Sequence, residues 1–140
     1  MLSGEYIHTL DAKNRLFIPA KHREELGSVF VVVRSIRGNC LKVFSMSEWE
    51  KFVAPIKALP RKTSEDTLRF LNRNAAQVSP DSQGRILLPP GLVEHAQIVR
   101  GAVVVGCGDY SEIWSEELYA RQIEEEDQEA IRLALEECGL

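Results

Sequence analysis

A repeat with a constant offset of 70 residues is the feature that most constrains the fold of this 140-residue chain. The segment 11–19 (DAKNRLFIP) matches the segment 81–89 (DSQGRILLP) at Asp, at Arg, at the apolar positions and at Pro. The same offset aligns further positions, namely Glu24 with Glu94, Gly38 with Gly108, and 43–45 (VFS) with 113–115 (IWS). One offset that holds over about 35 residues indicates a duplicated structural unit.

Each unit predicts the same order of short elements. A strand with partly alternating polarity precedes the shared motif, and a short apolar strand follows it and ends at proline. One helical turn comes next, near 21–26 in the first unit and near 91–96 in the second. A β-branched strand, a turn with glycine and a last strand complete the unit. The predicted fold class is therefore α+β, mainly β.

Helices are predicted between the units and after the second unit. Apolar residues recur at helical spacing over 47–59 and 64–75, on either side of Pro60. Ser47 fits the N-cap of the first of these helices, and Ser115 fits the N-cap of a C-terminal helix. The chain divides into four parts, which are a first unit at 1–47, a helical connector at 48–75, a second unit at 76–119 and an acidic C-terminal helix at 120–140.

The C-terminal helix combines acidic residues with an apolar stripe. Four consecutive acidic residues, 124–127, precede apolar residues at helical spacing that include Ile131 and Leu135. Such a stripe predicts a helix that docks on another surface. That surface belongs either to the protein's own strands or to a neighbouring subunit.

The shared motif is an Asp-x-x-x-Arg turn, at residues 11–15 in the first unit and 81–85 in the second. An Asp at the first position of a type I turn accepts a hydrogen bond from a backbone N–H two residues on. The fourth position holds Asn14 in one copy and Gly84 in the other, and both residue types tolerate positive φ. A type I turn followed by a left-handed residue is a common hairpin connection. The residues predicted to shape the two hairpin tips are Asp11, Asn14, Asp81 and Gly84.

The arginine of the motif has two interpretations. In the first, Arg15 forms a salt bridge with Asp11 and locks the loop. In the second, Arg15 projects from a rigid tip toward a phosphate or a base edge. The planar fork of arginine suits both roles, because it bonds carboxylates and phosphates bidentately. Arg85 correspondingly is either an auxiliary nucleic-acid contact or an ion pair that closes a barrel.

Only the first copy carries additional basic residues. Lys13 lies in the first turn, and Lys21, His22 and Arg23 lie on the short helix that follows. The second copy has glutamine and apolar residues or glycine at the equivalent positions. We therefore expect the first copy to make most of the nucleic-acid contact, through Lys13, Arg15, Lys21 and Arg23.

Charge is distributed unevenly along the chain. Residues 1–75 hold 13 Lys or Arg against 8 Asp or Glu, a net charge of +5, whereas residues 76–140 hold 4 against 13, a net charge of −9. The total of −4 alone argues against nucleic acid, but the basic first half favours it. The plainer alternative is a solvated acidic helix on a neutral body.

Several classes of protein are not predicted. The motifs of P-loop enzymes, serine hydrolases, zinc proteases and thiol redox proteins are missing, so no catalytic residue, cofactor or small-molecule ligand is assigned. The three cysteines, Cys40, Cys107 and Cys138, lack metal-ligand spacing, so no metal site is predicted. With neither a signal-peptide pattern nor a long apolar run, we expect a cytoplasmic protein.

The motifs GEYxHTLDAKxR at 4–15 and DxQGRILLPP at 81–90, together with Trp49 and the EIW segment at 112–114, closely resemble the MraZ family of bacterial transcriptional regulators. The resemblance spans residues 1 to about 120 and leaves out the last twenty residues. It departs from the family pattern at Asn14, where glycine is usual, and at His22, which replaces a common aromatic residue.

The resemblance implies a fold and a function. Each unit is then an AbrB-like (SpoVT/AbrB) swapped-hairpin element, and the two units form a pseudo-symmetric β-barrel with connecting and C-terminal helices. Chains assemble into a ring that binds double-stranded DNA at short direct repeats upstream of the division and cell-wall gene cluster, usually as a repressor. Such a protein is expected to be associated with the nucleoid.

Two other functions are alternatives to this interpretation. An antitoxin-like AbrB module binds DNA through the barrel and a protein partner through its C-terminal helix. An RNA-binding barrel is disfavoured, because no aromatic residues interleave with the basic ones for base stacking.

Overall fold

The computed structural model describes all 140 residues and contains eight strands and six helices. The strands are β1 (Glu5–Thr9), β2 (Arg15–Phe17), β3 (Phe30–Arg34), β4 (Leu41–Ser45), β5 (Ala75–Val78), β6 (Arg85–Leu87), β7 (Gly101–Gly106) and β8 (Ser111–Ser115). The helices are α1 (Ala20–Leu26), α2 (Met46–Lys57), α3 (Arg61–Arg73), α4 (Pro90–Ala96), α5 (Glu116–Glu125) and α6 (Gln128–Glu137). The order strand, strand, short helix, strand, strand, longer helix therefore occurs twice.

The two units exchange strands. Six strands form one antiparallel sheet in the order β1-β7-β8-β4-β3-β5. The first strand of each unit pairs with the third strand of the other unit, β1 with β7 and β5 with β3, and the fourth strands β4 and β8 meet at the centre. Each unit thus depends on the other to complete its hydrogen bonding.

The second strands of the two units form a separate antiparallel ribbon. Leu16 of β2 lies opposite Ile86 of β6, and both side chains are fully buried. The predicted α+β fold is confirmed at this level, with an approximate two-fold relation between the units. The strand pairing joins an open six-stranded sheet with a two-stranded ribbon, and closure into a barrel stays a prediction.

One hydrophobic core is shared by both units. It contains 18 buried residues drawn from the sheet, the ribbon, and the short helices α1 and α4. The ribbon supplies Leu16 and Ile86, the residues after it supply Ile18 and Leu88, and all four are at most 1% exposed. Burying a side chain of this size contributes about 1.5–3 kcal/mol. The core therefore fixes the ribbon, and the turns that precede its strands, against the rest of the molecule.

The N-cap of α2 is Ser45, and the prediction of Ser47 is wrong. The Ser45 hydroxyl accepts a hydrogen bond from Glu48 N at 3.2 Å, and Ser115 caps α5 equivalently, accepting from Leu118 N at 3.0 Å. Each capping serine is the last residue of a strand and already has the extended backbone that an N-cap requires. The helix therefore begins directly where β4 ends.

The connector contains two helices, as predicted, with shifted boundaries. The second of them, α3, begins immediately after Pro60, three residues earlier than the spacing of apolar residues indicates. The fixed φ of proline suits the residue before a helix, where no helical backbone N–H is needed. Helix α2 packs against β3, β4 and α3.

The C-terminal segment forms two helices where the sequence predicts one. Helix α5 packs on β7 and β8, and α6 follows after the two residues Glu126 and Asp127. The Asp127 side chain caps α6 by accepting from Ala130 N at 3.0 Å. None of the helices has the length and apolar character needed to cross a membrane.

Candidate nucleic-acid interface

The first Asp-x-x-x-Arg turn is organised by the Asp11 carboxylate. Its Oδ1 accepts hydrogen bonds from the backbone N–H groups of Lys13 and Arg15, each at 2.9 Å. Its Oδ2 accepts from Arg15 Nε at 2.7 Å. Asn14 has a φ of 60°, in the left-handed region that returns the chain to the strand. The carboxylate therefore holds both the turn and the arginine.

The second turn repeats this network. Asp81 Oδ1 accepts from Gln83 N at 2.9 Å and from Arg85 N at 3.0 Å, and Oδ2 accepts from Arg85 Nε at 3.0 Å. Gly84 takes the left-handed position with a φ of 81°. The 70-residue repeat in sequence thus appears as a repeated set of hydrogen bonds.

The ribbon brings the two turns together. Leu88 N donates to the Asn14 carbonyl at 2.8 Å, and Ile18 N donates to the Gly84 carbonyl at 3.0 Å. Arg85 Nη1 also lies 3.8 Å from Asp11 Oδ2, so the first carboxylate faces both arginines. The turns, 70 residues apart in the chain, therefore form one continuous surface.

Both carboxylates are set up to stay ionised. The backbone N–H of Arg15 lowers the pKa of Asp11, and that of Arg85 lowers the pKa of Asp81; in each case the arginine side chain lowers it further. In both pairs the carboxylate engages the guanidinium at Nε. The Nη groups of Arg15 have no partner within the chain. The salt bridge to Asp11 orients the Arg15 guanidinium and leaves its Nη groups free to bind a partner. The two interpretations of the arginine are therefore compatible.

Arg23 connects α1 to the second turn. Its Nε donates to the Ile18 carbonyl at 2.9 Å, and its guanidinium carbon lies 5.3 Å from the centre of the Phe17 ring. A Cβ on Gly84 would lie 2.7 Å from that guanidinium carbon. Arg23 is thus half-buried between the two copies, whereas Lys13 and Lys21 are exposed to solvent.

His22 does not belong to the basic surface on which the sequence places it. Its ring is 1% exposed. Nε2 donates to the Ser3 carbonyl at 2.7 Å, Nδ1 pairs with the Ser111 hydroxyl at 3.0 Å, and the ring meets Tyr6 edge-on. His22 and Leu26, four residues apart, lie on the face of α1 that is turned toward the core, whereas Lys21 lies on the exposed face. His22 therefore joins α1 to the N-terminal segment and to the second unit.

One basic residue near the site is not identified from the sequence. The Arg100 carbonyl accepts a hydrogen bond from Leu10 N at 2.8 Å, which places Arg100 beside the residue that precedes the first turn. Arg100 is exposed. It belongs to the second unit, outside the repeated motif, and only the pairing of β1 with β7 brings it here.

A family model described as "MraZ protein, putative antitoxin-like" matches the chain twice, at residues 1–72 and 71–137. The chain belongs to the MraZ family. The resemblance inferred from the motifs is confirmed, but its predicted end near residue 120 is wrong, because the MraZ match continues through α6.

Relatives named "Transcriptional regulator MraZ" match most of the chain. The MraZ protein of Thermoanaerobacter sp. is 45% identical over 121 residues, covering 85% of this chain and 84% of the relative. That of Carboxydothermus hydrogenoformans is 47% identical over 122 residues, with the same coverage. That of Clostridium acetobutylicum is 38% identical over 143 residues and covers the full length of both chains.

Proposed function

We propose that this protein is a sequence-specific DNA-binding transcriptional regulator, acting in the cytoplasm at the nucleoid. It binds short direct repeats upstream of the division and cell-wall gene cluster as a ring-shaped homo-oligomer and represses transcription. The relatives that cover most of the chain are named as transcriptional regulators. The observation that carries the proposal is the joined pair of Asp-x-x-x-Arg turns, with unpartnered basic groups on the first.

The first turn is suited to bind a phosphate or a base edge. Arg15 is held at Nε by Asp11, so its terminal nitrogens are preorganised for a bidentate contact. Lys13, in the same turn, and Lys21, in the first turn of α1, are exposed, and no ion pair within the chain uses either. Arg23 presents its guanidinium at the junction of the two copies. Phosphate contacts from these residues would position the turn on the duplex, and Arg15 would read sequence.

Arg85 has a smaller part in the proposed interface. Its guanidinium faces both Asp81 and Asp11, at 3.0 and 3.8 Å, so its charge is neutralised more fully than that of Arg15. No lysine accompanies it in the second turn. We assign Arg85 mainly to joining the two turns, with an auxiliary contact to DNA.

A ring explains how an acidic chain can bind DNA firmly. One chain offers three or four phosphate contacts, which correspond to a slope of roughly −3 for log K against log salt. That is weak by itself. Several chains that meet repeats spaced about one helical turn apart raise the affinity through effective concentration.

The test is the substitution Arg15→Ala, with Arg61→Ala as the matched control. Arg61 is an exposed arginine on α3 whose partner, Glu65, is on the same helix, so its loss removes equal charge away from the turns. We expect Arg15→Ala to abolish binding to a fragment carrying the upstream repeats, at unchanged oligomeric mass, while Arg61→Ala binds as the unmodified protein does. Gel shift and size-exclusion chromatography with light scattering measure the two properties. Retained operator affinity in folded Arg15→Ala protein would contradict the proposal.

A second candidate is an antitoxin-like module that binds a protein partner through its C-terminal helix. The uncovered apolar stripe on α6 and the "antitoxin-like" description of the family model favour it. Deleting residues 120–140 separates the two. Loss of capture of one defined protein, with operator binding and assembly both retained, would favour the antitoxin-like function.

A further inference from the structure

Helix α6 presents an apolar stripe that no part of the chain covers. The residues on this side of the helix, spaced by one, three or four positions, are Ala130, Ile131, Ala134, Leu135 and Cys138. Ile131 and Leu135 are 40% and 45% exposed. The side-chain hydrogen bonds and ion pairs of α6 all stay within residues 126–137. An amphipathic helix without a partner indicates a binding surface.

A second uncovered apolar surface lies between α2, α3 and the loop joining β3 to β4, and we name it the α2–α3 groove. Its volume is about 700 Å³. Phe52, Ile56, Phe70 and Leu71 line it, and Ile36 stands at its rim. Ile36 is 82% exposed, which is unusual for a large aliphatic side chain at the tip of a loop. A groove with this volume and these apolar lining residues suits the apolar face of an amphipathic helix.

The groove and the helix carry opposite charge. Four basic residues line the groove, Arg34, Arg37, Lys42 and Lys51, and no acidic residue does. Arg34 and Arg37 take part in none of the ion pairs within the chain. Helix α6 begins directly after the acidic residues 124–127 and has Glu137 beside its stripe. Their association would therefore pair charges as well as bury apolar surface.

Every residue of α6 is exposed, so the helix is not packed on the rest of its own chain. Only Glu126 and Asp127 separate the two helices, and both are extended. The Asp127 side chain caps the start of α6. Within one chain, the stripe and the groove therefore both remain free.

We propose that α6 of one copy docks in the α2–α3 groove of the next copy, with Ile131 and Leu135 against Phe52 and Phe70. The contact joins two different surfaces, so it repeats head to tail and closes a ring when the rotation between copies permits. The inference deepens the ring assembly of the proposed function and rests on it. It names the surfaces that build the ring.

Two single substitutions test the two surfaces. Leu135→Glu places a charge in the stripe, and Ile36→Glu places an acid at the rim of the groove. Both side chains are exposed, so the fold should tolerate the changes. We expect each variant to lose assembly and run at the mass of one chain, with circular dichroism unchanged. Leu133→Glu is the matched control, because Leu133 is 47% exposed, close to the 45% of Leu135, and lies outside the stripe on α6; this variant should keep the parental mass.

Mixing the two defective variants distinguishes docking between copies from docking within a chain. Leu135→Glu protein retains an intact groove, and Ile36→Glu protein retains an intact stripe. The mixture should therefore form a one-to-one pair of twice the single-chain mass, and should grow no further because the remaining surfaces are both defective. Sedimentation velocity measures this. A mixture that stays at the single-chain mass, or single variants that keep the parental mass, would overturn the proposal.

DNA binding to a fragment with one repeat separates this inference from the proposed function. The Leu135→Glu variant should still bind the single repeat, while its advantage on a fragment with several repeats should disappear. If the unmodified, fully assembled protein binds no DNA, the proposed function is contradicted and the assembly contact is not.

Discussion

At the residue scale, the two copies meet the same backbone requirement in different surroundings. Asn14 and Gly84 are both left-handed, with φ values of 60° and 81°. Asparagine tolerates this region because its short polar side chain can hydrogen-bond locally, and glycine tolerates it because it has no Cβ. Gly84 has a second constraint, since an added Cβ would lie 2.7 Å from Arg23 Cζ and 2.9 Å from the Phe17 ring. The two positions therefore share a backbone conformation, but Gly84 is also closely surrounded by the side chains of Arg23 and Phe17.

Substitution at these two positions should therefore have unequal effects. Gly84→Ala combines a strained φ with a close contact to Arg23 and Phe17, and we expect it to lower the free energy of unfolding by about 1–3 kcal/mol. Asn14→Gly introduces the residue that adopts a positive φ without steric cost, and it should change the free energy of unfolding by less than about 1 kcal/mol. Urea unfolding followed by circular dichroism measures both. Equal stability of the two variants would show that the contact at Gly84 relaxes without cost.

At the scale of the element, each turn is one unit built on a carboxylate. Asp11 and Asp81 each accept two backbone N–H groups and one guanidinium Nε. The backbone N–H of the motif arginine, Arg15 or Arg85, is the largest cause that lowers the pKa of the carboxyl below its ordinary value of 3.8, and the other bonds lower it further. A carboxyl with a lowered pKa in the folded state stabilises that state above its unfolded pKa, and the contribution is lost as the pH falls through the folded pKa.

The stability of the turns should therefore decrease in acid below about pH 4. We expect Asp11→Asn and Asp81→Asn to unfold at lower urea concentration than the unmodified protein at pH 7, and this difference to shrink between pH 4 and pH 2.5. Asp109→Asn is the control, because Asp109 is exposed and makes no ion pair. A difference that is constant over this range would mean that the carboxylate charge does not hold the turn.

At the scale of the whole molecule, the exchange of strands makes the two units interdependent. Strand β1 finds its partner in β7, β5 finds its partner in β3, and the ribbon takes one strand from each unit. His22 adds a buried link from the first unit to Ser111 in the second. The two Asp-x-x-x-Arg turns are held by strands of this shared structure.

Neither half of the chain should therefore fold as a stable monomer. We expect the separate fragments 1–74 and 75–140 to be unfolded when dilute, and to gain structure with concentration by pairing with themselves or with each other. Thermal unfolding followed by circular dichroism over a range of concentrations tests this. A fragment that unfolds cooperatively as a monomer, at a midpoint independent of concentration, would contradict the interdependence.

The turns and the helical connector could be predicted because their causes are local. An Asp that accepts bonds two and four residues on, an Asn or Gly at the left-handed position, and apolar residues at helical spacing act within a few residues of chain. The repeat with its offset of 70 residues also indicates the correct N-cap, since it aligns Ser45 with Ser115. The prediction of Ser47 followed a local capping pattern. Ser45 is the cap because it ends a strand and already has the extended backbone of an N-cap.

By itself, the sequence determined the repeat, the geometry of each turn, and the basic character of the first copy. Tertiary structure decided which strands pair between units, that His22 turns inward, and that Arg100 lies beside the first turn. It also decided that Arg23 packs against Gly84 across the two copies. The pairings between the units join residues about 40 to 100 positions apart, and the burial of one shared core selects these partners. A local pattern does not encode that choice.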